Sequence, residues 1–373
     1  MTKPILVRRR ILFAYWGRRG ALSRFTLNLA RACEHVAELD ATISVSRQNE
    51  IFHQFLPLGP KLLAVQTFTS PVGALTGPHR LVRLRHDLLN RVISDRIEAV
   101  VTLMPHIWSP LVSPAIRRNG IRYLTVVHDA DPHIGDRTGV ATRWLLRDTR
   151  SADRVITLSS AVAERLASTG RVSQSRIATL VHPDLDYRAG VPRPRAAPVG
   201  RPLRCLFFGR IMPYKGLPLL LDAWEILRRD GLSIELGVYG EGDLADCADR
   251  LDRLGAEVVN EWIAEDRVAT IFDRFDVVVL PYIEASQSGI AAIAMASGLP
   301  IVATPVGGLV EQVRDLETGV VAQAVDASSL AQAIKRLLLD PSVYESIEQG
   351  IAASREARTM RRFVESIVAL AVA

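Results

Sequence analysis

Short apolar, β-branched runs alternate along this chain with longer segments whose apolar positions recur every three or four residues. That is the pattern of parallel strands joined by helices. The clearest unit runs from Asp276 to Glu311. Residues 276–280, Asp-Val-Val-Val-Leu, read as a strand buried on both faces and stopped by Pro281. A polar turn over 284–289 leads into a small-residue helix over 290–297, with Ile290, Ile293 and Ala294 on one face. Gly298 and Pro300 end that helix, and 301–303 begins the next strand. With Ser288 and Gly289 at its start, the helix points free N–H groups and its positive dipole end beyond the strand ends, where an anion is the natural guest. The same pattern also fits a helix that only packs on a sheet.

The rest of the chain repeats this alternation. A strand over 11–16 leads through Gly17-Arg18-Arg19-Gly20 into a helix over 21–38, the opening of a doubly wound domain without the GxGxxG spacing. Further strands are predicted over 41–46, 99–103, 123–127 and 154–159, with helices over 81–93 and 161–168; residues 50–78 give no periodicity. The proline-rich stretch 187–202 reads as a linker. A second alternation places strands over 203–208, 233–239 and 257–259 and helices over 217–229, 246–254 and 266–275. Asp326 caps a helix running to Leu339, and more helix follows. The expected organisation is therefore a Rossmann-like domain over 1–186, the linker 187–202, a second Rossmann-like domain over 203–354, and a final helix over about 355–373 packing back on the first domain.

Length and composition change this picture little: 373 residues suit two domains, and no apolar run reaches the ~20 residues of a membrane span. The N-terminus has charges before an apolar run, but Arg18-Arg19 stands where a small-residue cleavage site belongs, so it reads as a first strand. Cys33, Cys205 and Cys247 have no metal-ligand spacing, which suits a reducing, cytoplasmic setting. Charge does add something. Residues 1–195 carry 29 Lys and Arg against 15 Asp and Glu, whereas the remainder carries 17 against 25. A basic first half suits an anionic membrane or an anionic substrate. Arg80, Arg83, Arg85 and Arg91 on the 81–93 helix fit either a solvated face or a membrane-surface helix.

Only four basic residues are lysines, so Lys215 in the loop after the 203–208 strand stands out. With Arg210 it supplies a fork and a point charge above strand ends, beside the Ser288-Gly289 helix start, a combination suited to a diphosphate. In the first domain, Met104-Pro105-His106 and His128-Asp129 follow buried strands, where such sheets place their sites. Asp129-Ala130-Asp131, with His128 and His133, has the composition of a metal set; His106 and His133 fit a scaffold role equally well. Trp16, Trp108 and Trp144 read as packing, and no Ser/His/Asp or Cys/His set suggests a nucleophile.

The stretches FFGRIMPYKGLPLLLDAWEIL, YGEG, DVVVLPYIEASQSGIAAIAMASGLPIVATPVGGLVE and ETGVV resemble the family 4 (group 1) glycosyltransferases, retaining enzymes of the GT-B fold. The resemblance covers most of 203–322; in the first domain it rests on the Gly17–Gly20 loop and VVHDADPH. It implies an α/β architecture of two doubly wound domains facing across a cleft, the first taking the acceptor and the second a nucleotide-sugar donor. Arg210, Lys215 and His128 become the catalytic candidates, the first two on the diphosphate and His128 at the sugar. Donor contacts fall to Gly17, Gly20, Gly209, Arg210, Lys215, Gly240, Glu284, Gln287, Ser288, Gly289 and Ile290, with Trp262 in the stretch from Asn260 to Arg267 that lies against the base. No cofactor and no metal is required, because the cationic pocket holds the diphosphate. One departure matters: where family members carry two glutamates eight positions apart, this chain has Ala285, with Glu284 adjacent, and Ile293. The glutamate that normally grips the ribose is missing, and the Gln287-Ser288-Gly289 form looks like a variant branch. The implied partners are a nucleotide sugar and a glycan or lipid-linked acceptor in cell-surface polysaccharide synthesis. An anionic membrane surface is a further candidate, and nucleic acid is not expected. The competing readings are a sugar-nucleotide epimerase of the same fold and a non-catalytic nucleotide-sugar or anionic-polymer binder.

Overall fold

Strand segments that are apolar on both faces demand helices above and below, and both halves of the chain meet that demand. The computed structural model describes residues 8–69, 77–135, 139–188, 190 and 194–372. In the first half a parallel sheet of seven strands runs in the order β3-β2-β1-β4-β5-β6-β7. Its strands are β1 (Arg9–Tyr15), β2 (Leu39–Ser46), β3 (Leu62–Val65), β4 (Ala99–Thr102), β5 (Arg122–Val127), β6 (Arg154–Thr157) and β7 (Ile177–Thr179). The helices are α1 (Ala21–Cys33), α2 (Pro78–Ser94), α3 (Ser109–Arg118), α4 (Gly139–Leu145) and α5 (Ser160–Ser168). The order reverses between β1 and β4, the topological switch point where doubly wound sheets open a crevice.

The second half repeats the plan with six parallel strands ordered β10-β9-β8-β11-β12-β13. These are β8 (Leu203–Phe208), β9 (Ile234–Tyr239), β10 (Glu257–Val259), β11 (Val277–Leu280), β12 (Ile301–Ala303) and β13 (Gly319–Val321). They alternate with α6 (Leu217–Arg229), α7 (Ala248–Arg253), α8 (Glu265–Arg274), α9 (Gly289–Ala296), α10 (Leu309–Gln312), α11 (Ala327–Leu339) and α12 (Pro341–Ala353). Trp224 on α6, Ile334 on α11 and Val279 on β11 belong to one buried cluster on this sheet. No helix among the described residues is long and apolar enough to cross a membrane.

The chain divides into one unit of Met1–Asp131, Thr138–Val181 and Thr359–Ala373, and a second of Pro132–Arg137 and His182–Arg358. The last helix, α13 (Met360–Val372), lies in the first unit, where the Phe363 ring meets Phe25 of α1 edge-on at 5.4 Å. The division falls earlier than the expected boundary after residue 186. Residues 182–186 are held on the second unit by the Leu185 N–H bonded to the Ala292 carbonyl (3.2 Å) and by the Asp184–Arg358 ion pair (2.9 Å). The stretch read as a linker is likewise tied down within that unit. Arg195 donates to the carbonyls of Phe275, Phe272 and Ser297, and Arg188 pairs with Asp273.

Other differences have local causes. Strand β3 is an edge strand in which only Val65 is buried, so the alternation that announces a strand is absent. Helix α3 carries Pro110 at its start and Pro114 inside it, residues that read as breakers. Helix α1 ends at Cys33, short of the expected Glu38. Strands β7 and β13 are short. Residues 70–76, part of the stretch without periodicity, lie outside the described residues.

One close approach fixes the second unit's carboxyl edge. Gly216 sits at φ 69° between β8 and α6, and a Cβ there would stand 1.8 Å from the Pro281 carbonyl oxygen. A left-handed backbone alone costs a larger residue ~1–3 kcal/mol, and the collision adds to it. Gly216→Ala is therefore expected to lower unfolding stability by at least ~2 kcal/mol, measured by urea denaturation; an unchanged midpoint would contradict the contact.

Candidate functional site

The loop after β8, Gly209 to Gly216, and the turn after β11, Pro281 to Ser288, meet where Gly216 permits it. Lys215 is carried in by a short 3-10 turn, Pro213–Lys215. Its ammonium donates to the Tyr282 hydroxyl at 2.6 Å and lies 4.2 Å from the centre of the Tyr282 ring. Tyr282 is fully buried, and burial pushes its pKa far above the ordinary phenol value, so it stays neutral. The same Tyr282 hydroxyl is hydrogen-bonded to Ser288 Oγ, 3.2 Å away. Ser288 Oγ in turn accepts from the Ala291 N–H and caps α9. A positive charge, a neutral phenol and a helix start are thus joined in one line.

Gln312 of α10 locks that line from behind. Its Oε1 accepts from the Ser288 N–H at 2.6 Å, and its Nε2 donates to the Ser288 carbonyl at 3.2 Å. This corrects the expectation that Ser288 offers a free amide: Gln312 takes the Ser288 N–H and Ser288 Oγ takes that of Ala291. The N–H groups of Gly289 and Ile290 make no hydrogen bond among the described residues, and they are what the helix start can present to an anion. Gly209 lies against the Ile290 side chain, and Arg210 on the same loop is exposed.

Glu284, the nearest stand-in for the first family glutamate, is bonded within its own unit. His133 Nδ1 donates to it at 3.1 Å and the Ile134 N–H at 3.2 Å. The His133 ring stacks on Tyr214 at 4.5 Å, so the chain segment 132–135 rests on the Lys215 loop. His133 is thus held between Glu284 and Tyr214. Asp131 pairs with Arg165, and among the described residues no three His, Cys, Asp or Glu side chains converge as a metal set needs. Ile293 is buried in α9. Gly240 follows β9 with φ 147°, and a Cβ there would meet the Gly209 carbonyl at 2.0 Å, so these two glycine loops touch. Beyond them Asn260 brackets Gly242, accepting its N–H at 3.1 Å and donating to its carbonyl at 3.0 Å. Trp262 is half-buried nearby in sequence, and Gln287 is partly buried in the turn before Ser288.

In the first unit, His128 stands just past β5. Its Nε2–H donates to the Leu103 carbonyl at 2.9 Å, which fixes the tautomer, and its ring meets Phe25 edge-on. Burial lowers its pKa, so it is neutral at physiological pH. His106, past β4, accepts the Trp108 N–H on Nδ1 and is ringed by Trp16, Phe68 and Trp108; burial lowers its pKa to about 4. In the glycine loop, the Gly20 N–H is taken by Glu50 at 2.7 Å and the Gly17 carbonyl by Asn49 at 3.0 Å. The α1 start is therefore already served by a carboxylate, unlike the α9 start. Sequence reading missed Tyr282 and Gln312. Pro281-Tyr282 at a strand end and the glutamine after Gly-Gly-Leu-Val-Glu were the available signals.

An open helix start beside a fixed ammonium suits an anion such as phosphate, and comparison with known proteins narrows the class. Residues 202–340 match the family described as Glycosyl transferases group 1. The chain is 31% identical over 198 residues to a D-inositol 3-phosphate glycosyltransferase of Mycobacterium leprae, an alignment covering 50% of this chain and 46% of the relative. The chain thus spans about half the length of the curated relatives it matches. Among solved structures it is similar to Anabaena HepE, crystallised with UDP-glucose, at a TM-score of 0.70 and 16% identity over 96% of this chain and 99% of that one. It is also similar to a Listeria monocytogenes protein described as a putative UDP-N-acetylglucosamine 2-epimerase, at a TM-score of 0.64 and 12% identity over 97% and 96%. These likenesses establish the fold as GT-B, built from two Rossmann-like units.

Two outcomes follow from the geometry. Tyr282→Phe removes the bridge between Lys215 and Ser288 while keeping the ring, and a hydrogen bond to a charged group contributes ~1.5–3 kcal/mol. Affinity for a nucleoside diphosphate, read by calorimetry, is expected to fall about tenfold with the melting temperature nearly kept; unchanged affinity would remove Tyr282 from the site. Second, the unfolded chain binds protons that folded His106 and His128 refuse, so their contribution is complete above pH ~6.5 and lost as pH falls toward 4. The urea midpoint should drop between pH 7 and 5, and drop less in His106→Phe; parallel profiles would contradict the assignment.

Proposed function

We propose that this chain is a retaining glycosyltransferase that moves a hexose from a nucleotide-diphospho-sugar to a glycan or lipid-linked acceptor, in cell-surface polysaccharide or glycoconjugate synthesis. The observation that carries the reading is the Lys215–Tyr282–Ser288 line at the α9 start. It places a fixed ammonium and a helix dipole in one spot, and a group 1 glycosyltransferase family match covers the same residues. A departing nucleoside diphosphate gains charge on its phosphate oxygens as the sugar bond breaks. Lys215, Arg210 and the Gly289 and Ile290 amides stabilise that charge more strongly in the transition state than in the bound donor. They supply this stabilisation through preorganised positive groups, so the reading is metal-independent. His128, neutral and held in one tautomer, acts at the transferred sugar as an orienting group rather than a general base. Attack from the face the leaving group vacates, with a donor phosphate oxygen taking the acceptor proton, needs no side-chain base.

The acceptor reading includes a cytoplasmic location at an anionic membrane. Of the four arginines first assigned to that contact, Arg80 is bonded to the Thr67 carbonyl and Arg91 to Asp95 and Pro60. Val82, Arg83, Arg85 and Ile93 are among the exposed residues of α2, with Arg83 paired to Asp87 at 3.8 Å. The membrane proposal rests on these four residues.

Lys215→Ala and Arg210→Ala are each expected to lower turnover about a hundredfold, ~3 kcal/mol in the barrier, with the fold kept. Arg210→Lys should also be impaired, because a point charge cannot replace a planar fork. The assay is nucleoside diphosphate release from a panel of nucleotide sugars. Release in step with acceptor supports transfer, interconversion of donors identifies an epimerase, and neither leaves a binding protein. Separately, sedimentation with phosphatidylglycerol vesicles should fall with salt and in Arg83→Glu/Arg85→Glu; binding indifferent to both would remove the membrane contact.

A further inference from the structure

A cavity of about 500 Å³ opens in the first unit among Pro114, Arg117, Arg150, Ser151, Asp153 and Arg176. Its walls come from the last turns of α3, the segment just before β6 and the residue just before β7. It therefore lies at the amino-terminal edge of the sheet, whereas His128 and the Gly17–Gly20 loop lie at the carboxyl-terminal edge. The volume is within the ~300–1,000 Å³ of small-molecule sites.

Its lining has three guanidinium groups and one carboxylate. Two of the arginines are held in place. Arg117 pairs with Asp153 at 2.8 Å, and Arg176 donates to the carbonyls of Thr149 and Ala152. Asp153 is itself anchored, because its other oxygen accepts the Tyr123 N–H at 2.8 Å. Arg150 differs: it is exposed and makes no hydrogen bond or ion pair among the described residues. A carboxylate shared between a backbone amide and one arginine does not neutralise three guanidiniums, so the cavity keeps an excess of positive charge. Two fixed forks and one unengaged fork around a concave space form an arrangement that recognises phosphate, because guanidinium groups pair with its oxygens in bidentate fashion. The carbonyls exposed here serve cations; Arg176 answers part of that demand at Thr149 and Ala152, and Arg150 does not.

We propose that Arg117, Arg150 and Arg176 form a second anion site, for a phosphate-bearing ligand, separate from the diphosphate site of the second unit. The ligand is a free phosphorylated compound or a lipid phosphate headgroup; the shared chemistry is a phosphomonoester or diphosphate. The site does not depend on the donor reading, and its test is built to be independent of it. Full-length Arg210→Ala/Lys215→Ala protein, with the second-unit site silenced, is titrated with inorganic pyrophosphate by calorimetry. In parallel it is sedimented with vesicles of phosphatidylcholine alone or with phosphatidic acid. Arg150→Glu is added to this background because Arg150 holds nothing else in place, and Arg176→Gln serves as a second variant. Pyrophosphate binding at one site per chain, weakened at least tenfold by Arg150→Glu and by Arg176→Gln, supports a site for a free phosphate compound. Sedimentation with the phosphatidic acid vesicles alone, lost in the same variants, supports the headgroup source. Absence of both, or binding that Arg150→Glu leaves unchanged, overturns the proposal.

Discussion

The second unit is organised around a backbone contact that excludes a side chain. The loop after β8 and the turn after β11 can touch only because Gly216 has no Cβ to meet the Pro281 carbonyl. From that contact the rest follows. The Ile283 N–H bonds to the Tyr214 carbonyl at 2.9 Å, Lys215 falls over the Tyr282 ring, and Tyr282 reaches the α9 cap. An ammonium beside a buried ring is desolvated on one side, which strengthens its attraction for an anion on the other. Gln312 then keeps Ser288 from rotating away. The cation, the phenol and the cap are each common features, and it is their attachment to a rigid backbone crossing that makes them a preorganised site.

The two units use the same topology for different electrostatics. In the first, the glycine loop leads to a helix start already served by Glu50, and the histidines past β4 and β5 are kept neutral by burial. In the second, the corresponding helix start is left open to an anion and faces a lysine. A neutral, hydrogen-bond-rich edge suits a hydroxylated ligand, and a cationic edge suits phosphate. This division runs against the uneven distribution of charge along the chain, whose basic excess lies in the first half; much of that arginine excess is spent on carbonyls. Arg154 on Ser175, Arg176 on Thr149 and Arg80 on Thr67 are examples.

Strands β8 and β12 were legible because they are largely buried: their bounds match the structure, as do those of α6 and of the exposed edge strand β10. The Asp326 cap was legible too, since an aspartate before Ala-Ser-Ser can accept the Ser329 N–H, as it does at 2.8 Å. What was lost has physical reasons. Edge strands β3 and β7 lack a two-sided apolar pattern, and α3 hides behind its prolines. The linker reading rested on proline content; that Arg188 and Arg195 fasten the stretch to the second unit depends on long-range bonds no local pattern reveals. In the site, Lys215, Ser288 and Gly289 could be named from motif and helix start. Tyr282 and Gln312 could not, because their roles depend on which turns are brought together in space. Helix periodicity also overstated the outward arginines of α2, since side chains as long as Arg80 and Arg91 reach back to neighbouring carbonyls.

The central claim is that a diphosphate binds at the α9 start beside Lys215. A crystal structure of the chain with a nucleoside diphosphate tests it most directly. The account predicts phosphate oxygens within hydrogen-bonding distance of Lys215 Nζ and of the Gly289 or Ile290 N–H, with the Lys215–Tyr282 contact retained. A diphosphate seated elsewhere, with Lys215 turned away from it, would contradict the account.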